Sequence, residues 1–204
     1  MQNKNRKSIR LKKYDYSEPG DYFITICTQD RECLFGEIVE GEMILNDWGK
    51  IVQKEILKTM EIRKNISIGI FQVMPNHVHL IITILCDGND GFYDKNNRIG
   101  CRGEPVVRPN GNTQNIFIDE NILIDQNIRA THRVAPTLKP DTIGAIIGQI
   151  KSITSKKSGI NLWQRNYHEH IIRNQQSYDE IYTYILSNPQ TWDRDRNNPK
   201  NLLE

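Results

Sequence analysis

His77-Val78-His79 sets two imidazoles two residues apart at the head of a stretch, HVHLIITI, that alternates like a strand. On a strand, side chains at i and i+2 share a face. The two rings therefore point one way, while Val78, Leu80, Ile82 and Ile84 point the other way, into a core. Two parallel imidazoles at this spacing make half of a site for a divalent ion. The pair alone is a weak motif, because His-x-His also arises incidentally. A second candidate lies far downstream in SYDEIYTYILSNP, where Tyr184 and Asn188 are four residues apart and share one helix face. Beside them Tyr178, Ile181, Tyr182 and Ile185 form a more apolar stripe. On helical grounds alone, Tyr184 reads as an amphipathic residue at the edge of a core and Asn188 as a C-terminal cap.

The elements that must position these groups follow from the local patterns. YFITICT (22–28) is rich in β-formers and predicts a strand, and LFGEIVEGEMILN predicts a hairpin turning at Glu40-Gly41. From Asn46 the period changes: Trp48, Ile51, Val52, Ile56 and Met60 recur at helical spacing, with Asn46 or Asp47 as cap. ISIGIFQVM predicts a strand that breaks at Pro75-Asn76 before the histidine strand. TIGAIIGQIKSITSKK predicts a helix with Ile143, Ile146, Ile147 and Ile150 inward and its lysines outward. A short connection through Trp163 and HIIRN leads to the last helix, where Ser177-x-x-Glu180 has the form of a capping box and Asn188-Pro189 is a stop signal. This order suggests an α+β domain whose antiparallel sheet is covered by helices on one face. Between residues 87 and 140 the chain is rich in Gly, Asn, Asp and Pro, too long for an ordinary loop, and reads as an insertion or flexible arm. Within it NIFIDENILID suits strand and helix equally.

Composition bounds the rest. The 204 residues suit one domain, here carrying the insertion and a basic N-terminal arm, residues 1–13. No run approaches the roughly 18 apolar residues of a membrane helix. The basic N-terminus has no apolar segment after it, which argues against a secretory signal. Cys27, Cys33, Cys86 and Cys101 are scattered without a Cys-x-x-Cys pair, the usage of reduced thiols in a cytoplasmic protein. The formal net charge is only +2, but Lys151, Lys156 and Lys157 lie near Arg165 and Arg173 in sequence. Such clusters serve equally as solvated faces and as contacts to a phosphate backbone.

In combination these motifs are more specific than any one of them. VMPNHVHLII, followed by IIGQIKS, LWQRNYHEHIIR and YILSNP, resembles the REP-associated tyrosine transposases of the single-tyrosine HUH group, and GDYFITICTQDRECLFGEI is similar to that family's opening strands. The resemblance spans about residues 14–192 and is weakest across the insertion. It implies a ferredoxin-like sheet with the histidine pair on a central strand and a helix that brings a tyrosine opposite a metal. By motif position it implies His77 and His79 as metal ligands, Tyr184 as nucleophile, Asn188 as a third ligand and His170 as support for the site. His168 matches no family position.

The implied activity is cleavage and rejoining of single-stranded DNA beside hairpins such as REP-like repeats, through a 5′-phosphotyrosine and a free 3′-hydroxyl. The implied cofactor is a divalent metal, Mg2+ or Mn2+, although imidazoles also suit cobalt or zinc. Lys151, Lys156, Lys157, Arg165 and Arg173 are candidates for the DNA backbone. Trp163 and Tyr167 are candidates for stacking on unpaired bases, with packing between the late helices the competing role for Trp163. The N-terminal arm is a candidate for groove contact. A monomer is expected in preference to a dimer. Two other readings compete: a metal-dependent phosphodiester hydrolase, which lacks further acidic ligands near the histidines, and a catalytically inactive hairpin DNA- or RNA-binding protein.

Overall fold

A computed structural model describes residues 14–85, 92–93, 99–100 and 141–202. The N-terminal arm, nearly all of the 87–140 insertion, Cys86 and Cys101 lie outside the described residues. The elements run β1 (Gly20–Cys27), β2 (Gly36–Val39), β3 (Glu42–Leu45), α1 (Asp47–Ile62), β4 (Ile66–Met74), β5 (His77–Ile84), the two-residue pair β6 (Phe92–Tyr93) and β7 (Ile99–Gly100), α2 (Ile143–Ser158), β8 (His168–Ile172) and α3 (Gln175–Ser187).

Four strands form one sheet in the order β4-β5-β1-β8, and each neighbouring pair is antiparallel. With α1 between β1 and β4, and α2 between β5 and β8, the connections are those of a ferredoxin-like α+β domain. The β2–β3 hairpin turns at Glu40 and Gly41, both at positive φ, as the Glu-Gly pair in the sequence suggests.

Alternation decides what each face of the sheet meets. Tyr22, Ile24 and Ile26 of β1 and Val78, Leu80, Ile82 and Ile84 of β5 point to one side. There they pack with Val52 and Ile56 of α1 and Ile143, Ile146, Ile147 and Ile150 of α2, the four isoleucines expected inward. Asn46 caps α1, its side chain accepting from the Gly49 N–H at 3.0 Å, and Thr142 caps α2 in the same way.

The other face departs from the expectation of helices on one side. Only α1 and α2 share a face; α3 crosses the opposite one, where Ile81 of β5 and Ile172 of β8 pack against its Tyr178 and Ile185. A β-bulge at Gly69 helps to seat it. A Cβ at Gly69 would lie 2.5 Å from the Tyr178 hydroxyl, so the missing side chain lets Tyr178 approach the sheet.

Two local expectations are corrected. The segment read as a connection through HIIRN contains β8, an edge strand paired with β1 from Asp21↔Ile172 to Thr25↔His168. Its histidines and glutamate obscure the alternation, because an edge strand with one open face tolerates polar residues at both parities. Helix α3 begins at Gln175, ahead of the Ser177 signature, because Asn174 takes the cap and accepts from the Ser177 N–H at 2.8 Å.

The approach of α1 to the hairpin gives a stability test. A Cβ on Gly49 would lie 2.3 Å from the Phe35 carbonyl oxygen, a backbone atom that cannot swing away. Gly49→Ala should lower the unfolding free energy by about 1–3 kcal/mol, read as a shift of the urea midpoint at unchanged slope.

Candidate active site

Four segments converge at one end of the sheet on the α3 side. Strand β5 supplies His77 and His79, β1 supplies Thr25 and Phe23, α3 supplies Tyr184 and Asn188, and the segment after α3 supplies Asp195. His77 and His79 are buried, and their Nε2 atoms lie 3.0 Å apart.

The hydrogen bonds behind the rings fix what those atoms can do. The Asn76 side-chain amide donates to the carbonyls of Arg31 and Asn197, at 3.0 and 2.7 Å. Its Oδ1 therefore faces His77 Nδ1, which must donate across 2.8 Å. A neutral His77 then carries its lone pair on Nε2. On the other ring, His79 Nδ1 lies 2.8 Å from the Thr25 hydroxyl, which accepts as readily as it donates. When both Nδ1 atoms hold protons, two lone pairs meet at 3.0 Å, and either one proton or one cation must lie between them.

Electrostatics favours the neutral rings. Burial, then the nearby Arg31 and Arg196 charges, push His77 down to about 3. His79 is also held well below the usual imidazole range, by burial first and its neighbour His77 second, and the opposing pull of Asp195 does not restore it. Neutral imidazole is the metal-binding form.

Asp195 completes the group. One carboxylate oxygen, Oδ2, lies 3.9 Å from His77 Nε2 and accepts from the Asn188 amide at 3.2 Å; the other accepts the Asn197 N–H. The ligand atoms of His77, His79 and Asp195 all lie within 4.8 Å of one another. Two imidazoles and a carboxylate suit a divalent first-row ion. Nitrogens 3.0 Å apart also match two adjacent ligands of one octahedral ion with bonds of about 2.1 Å. Asn188 is buried, and its Oδ1 has no hydrogen-bond partner among the described residues, a polar atom left for something the protein does not itself supply. The residues present therefore fit a divalent cation.

Tyr184 is 41 % exposed, and its hydroxyl lies 3.2 Å from His79 Nε2. Burial of the ring, then the Asp195 charge, raise its pKa against the lowering effects of Asn188 and Arg196, so the phenol keeps its proton at neutral pH. Phe23 packs against both His79 and Tyr184, with ring centroids 5.3 and 6.2 Å away. A cleft of about 470 Å³ opens here, lined by His79, Tyr184, Thr191, Arg194, Asp195 and Arg196 among others.

The structure thus gathers His77, His79, Tyr184 and Asn188 at one point, and separates the other candidates from it. His170 lies opposite Phe23 on the same sheet face but one strand away, exposed, and His168 likewise lies opposite Thr25. Lys151 donates to the carbonyls of Gln164 and Asn166, and burial lowers it to about 8. Lys157 pairs with Glu55 at 2.5 Å. With the exposed Lys156 they belong to α2, the helix covering the face opposite the histidines. Arg165 and Arg173 are exposed on either side of β8. Trp163 is corrected as a stacking residue: it is buried against Phe35 and donates its Nε1 proton to Thr154 at 2.8 Å, so it presents no free ring face to a base. Tyr167 also packs, partly buried, against the main core.

Asp195 was missed by the sequence reading. The signal lay in TWDRDRNNP, where acidic residues alternate with arginines just past the Asn-Pro stop, but no spacing rule links that stretch to residues 77 and 79.

A ferredoxin-like sheet with a His-x-His pair on a central strand and a tyrosine helix laid over it defines the structural class. No protein-family model matches the chain. A Haemophilus influenzae protein, described as an uncharacterized protein, is 36% identical over 197 residues, covering 94% of this chain and 92% of its own length. The chain belongs to the same family as that protein. Among solved structures, a REP-associated tyrosine transposase bound to a REP hairpin aligns over 90% of this chain and 74% of its own, with a TM-score of 0.52 and 19% identity. At that identity the two share a fold.

Two measurements test the site. Manganese at about a hundred times its dissociation constant should stabilise the chain by about 2.7 kcal/mol, seen as a rise in Tm. His77→Ala should abolish that rise, and Asp195→Ala should weaken affinity by at least the roughly 10–100-fold typical of losing an outer-shell partner. Unchanged manganese affinity in both variants would remove the metal from this cluster. Independently, His77 is lower in the folded chain than the ordinary 6.5 of the unfolded one. The unfolded state therefore binds the extra proton between these values, and stability contributed by neutral His77 is present above pH 6.5 and lost as pH falls toward 3. In metal-free buffer, His77→Asn should flatten that part of the stability–pH curve; a curve parallel to that of the parent would refute the assignment.

Proposed function

We propose that the chain is a single-tyrosine transposase of the HUH type, which cleaves and rejoins single-stranded DNA through a covalent tyrosine. The observation that carries this reading is the placement of the Tyr184 hydroxyl 3.2 Å from His79 Nε2, in a cleft lined by His79 and Asp195 with the buried His77 directly behind them. A hydrolase working through the same three groups would have no use for a phenol held there. The fold shared with a transposase seen on a REP hairpin supports DNA beside a hairpin as substrate.

In this reading His77, His79 and Asp195 would hold a divalent metal, with Asn188 Oδ1 as a fourth candidate donor. When bound, a divalent ion supplies Lewis-acid stabilisation of the charge that develops at phosphorus. Tyr184 Oη attacks that phosphorus, forming a phosphotyrosine bond as the bond to the 3′-oxygen breaks. The phenolic proton leaves to the water that the open cleft admits, and the departing 3′-oxygen takes one up. The new ester keeps the energy of the broken linkage, so the 3′-hydroxyl can reverse the step without ATP. Asn188, the C-cap of α3 one turn below Tyr184, shares that residue's face of the helix and donates to Asp195, so it ties the tyrosine helix to the carboxylate. Phe23 packs edge-on against the tyrosine ring and narrows its freedom to swing. Because all of these groups come from one chain, a monomer has a complete site.

Single-stranded DNA carrying a hairpin from the flanks of the gene, labelled and incubated with manganese, should yield label that migrates with the protein on a denaturing gel. Tyr184→Phe should abolish that adduct and leave binding nearly unchanged. Retained adduct in the variant would move the nucleophile to Tyr182 or Tyr178. Free nicked DNA without an adduct would favour the hydrolase.

A further inference from the structure

The cleft in front of Tyr184 is lined by two arginines, Arg194 and Arg196, that flank Asp195 in the chain. The aspartate turns inward to the histidines and is buried, whereas the arginines on either side of it are exposed. Among the described residues neither guanidinium is engaged in a hydrogen bond or an ion pair; the recorded bond of Arg196 is made by its backbone carbonyl, which accepts from Arg31. The side chain of Arg196 is nevertheless close enough to act electrostatically on His77, His79 and Tyr184. Of the α2 lysines, by contrast, two are engaged with the protein's own oxygens and all three sit on the helix that covers the opposite sheet face.

We infer that Arg194 and Arg196 are the residues that bind DNA phosphates at the cleft, taking the role that the sequence suggested for the α2 lysines. This rests on the reading that the cleft receives single-stranded DNA. A guanidinium presents a planar fork of donors that matches two oxygens of one phosphate, and it stays charged at any pH at which the protein folds. Two of them at the lip of a cleft with a single carboxylate leave the opening positive, although the whole chain carries only +2. Because the arginines bracket Asp195, the same short segment that supplies a candidate metal ligand also sets the phosphates beside the attacking phenol.

The test is the salt dependence of binding, measured by anisotropy of a fluorescent single-stranded oligonucleotide with a hairpin. It uses the full-length Tyr184→Phe chain, so the result does not depend on cleavage. Each phosphate contact contributes about 0.7 to the slope of log K against log salt for single strands, so R194Q/R196Q should flatten the slope by about 1.4 and weaken binding. R194K/R196K keeps the charge and should keep most of the slope. Thermal melts of each variant report folding, and among the described residues neither arginine side chain has a hydrogen-bond or ion-pair partner to lose. A parental slope in R194Q/R196Q overturns the inference, as does a larger loss in Lys156→Gln than in the arginine pair. Absence of a covalent adduct with the unsubstituted Tyr184 chain would sink the nickase reading and leave this result standing on its own.

Discussion

Two buried, neutral imidazoles whose Nε2 atoms sit 3.0 Å apart set the requirement that the surrounding structure meets. Buried nitrogens need partners, and a facing pair of lone pairs needs something positive between them. The sheet answers the first need from behind: β1 brings Thr25 to His79, and the Pro75-Asn76 turn brings Asn76 to His77. The second need would be met from in front, where a cation would find the Asp195 carboxylate as a third ligand, while the Tyr184 hydroxyl can donate to His79. Because β5 is a central strand with its alternate side chains sealed under α1 and α2, neither ring can turn away without disturbing the main core.

The segment after α3 would be irregular surface in most domains, and here side-chain amides tie it down. Asn76 reaches the Asn197 carbonyl, Asn198 donates to Trp192, and Asn201 donates to the carbonyls of Asp193 and Asp195. Trp192 lies over the His77 ring at 6.0 Å. The same Asn76 amide also holds the Arg31 carbonyl, in a turn where Asp30 and Arg31 both adopt positive φ. That turn costs backbone energy, and its fixed carbonyl in return orients Asn76, which fixes the His77 tautomer. A chain of three residues thus connects a strained loop on one side, through the histidine, to the carboxylate on the other.

Much of this was legible in the sequence where a period or a cap made it so. Helices α1 and α2, the hairpin, and strands β4 and β5 follow apolar spacing closely, and the histidine pair with Tyr184 and Asn188 was found from motif order. Strand β8 was not, because its five residues, HEHII, pair on one side only and leave polar groups at both parities. The placement of α3 on the second face was equally hidden: Tyr178 and Ile185 mark an apolar stripe, but only the gap at Gly69 says which sheet face receives it. Asp195 was out of reach for a different reason. Its contact with His77 spans more than a hundred residues and is made by a turn, and turns carry no periodicity from which such contacts could be read.

The distribution of charge along the chain explains how a nearly neutral protein leaves positive charge beside one cleft. Several of its cations are neutralised where they stand. Arg63 pairs with Asp141, Lys157 with Glu55, and Lys151 is spent on backbone carbonyls between α2 and β8. These contacts stitch the helical layer together at positions where burial would penalise an unpaired charge. The tail arginines have the opposite surroundings, with solvent on one side and the cleft on the other. Counting lysines and arginines therefore says little about where an anion binds. The charges that matter are those the fold has left unneutralised, and in this chain two of them face the tyrosine.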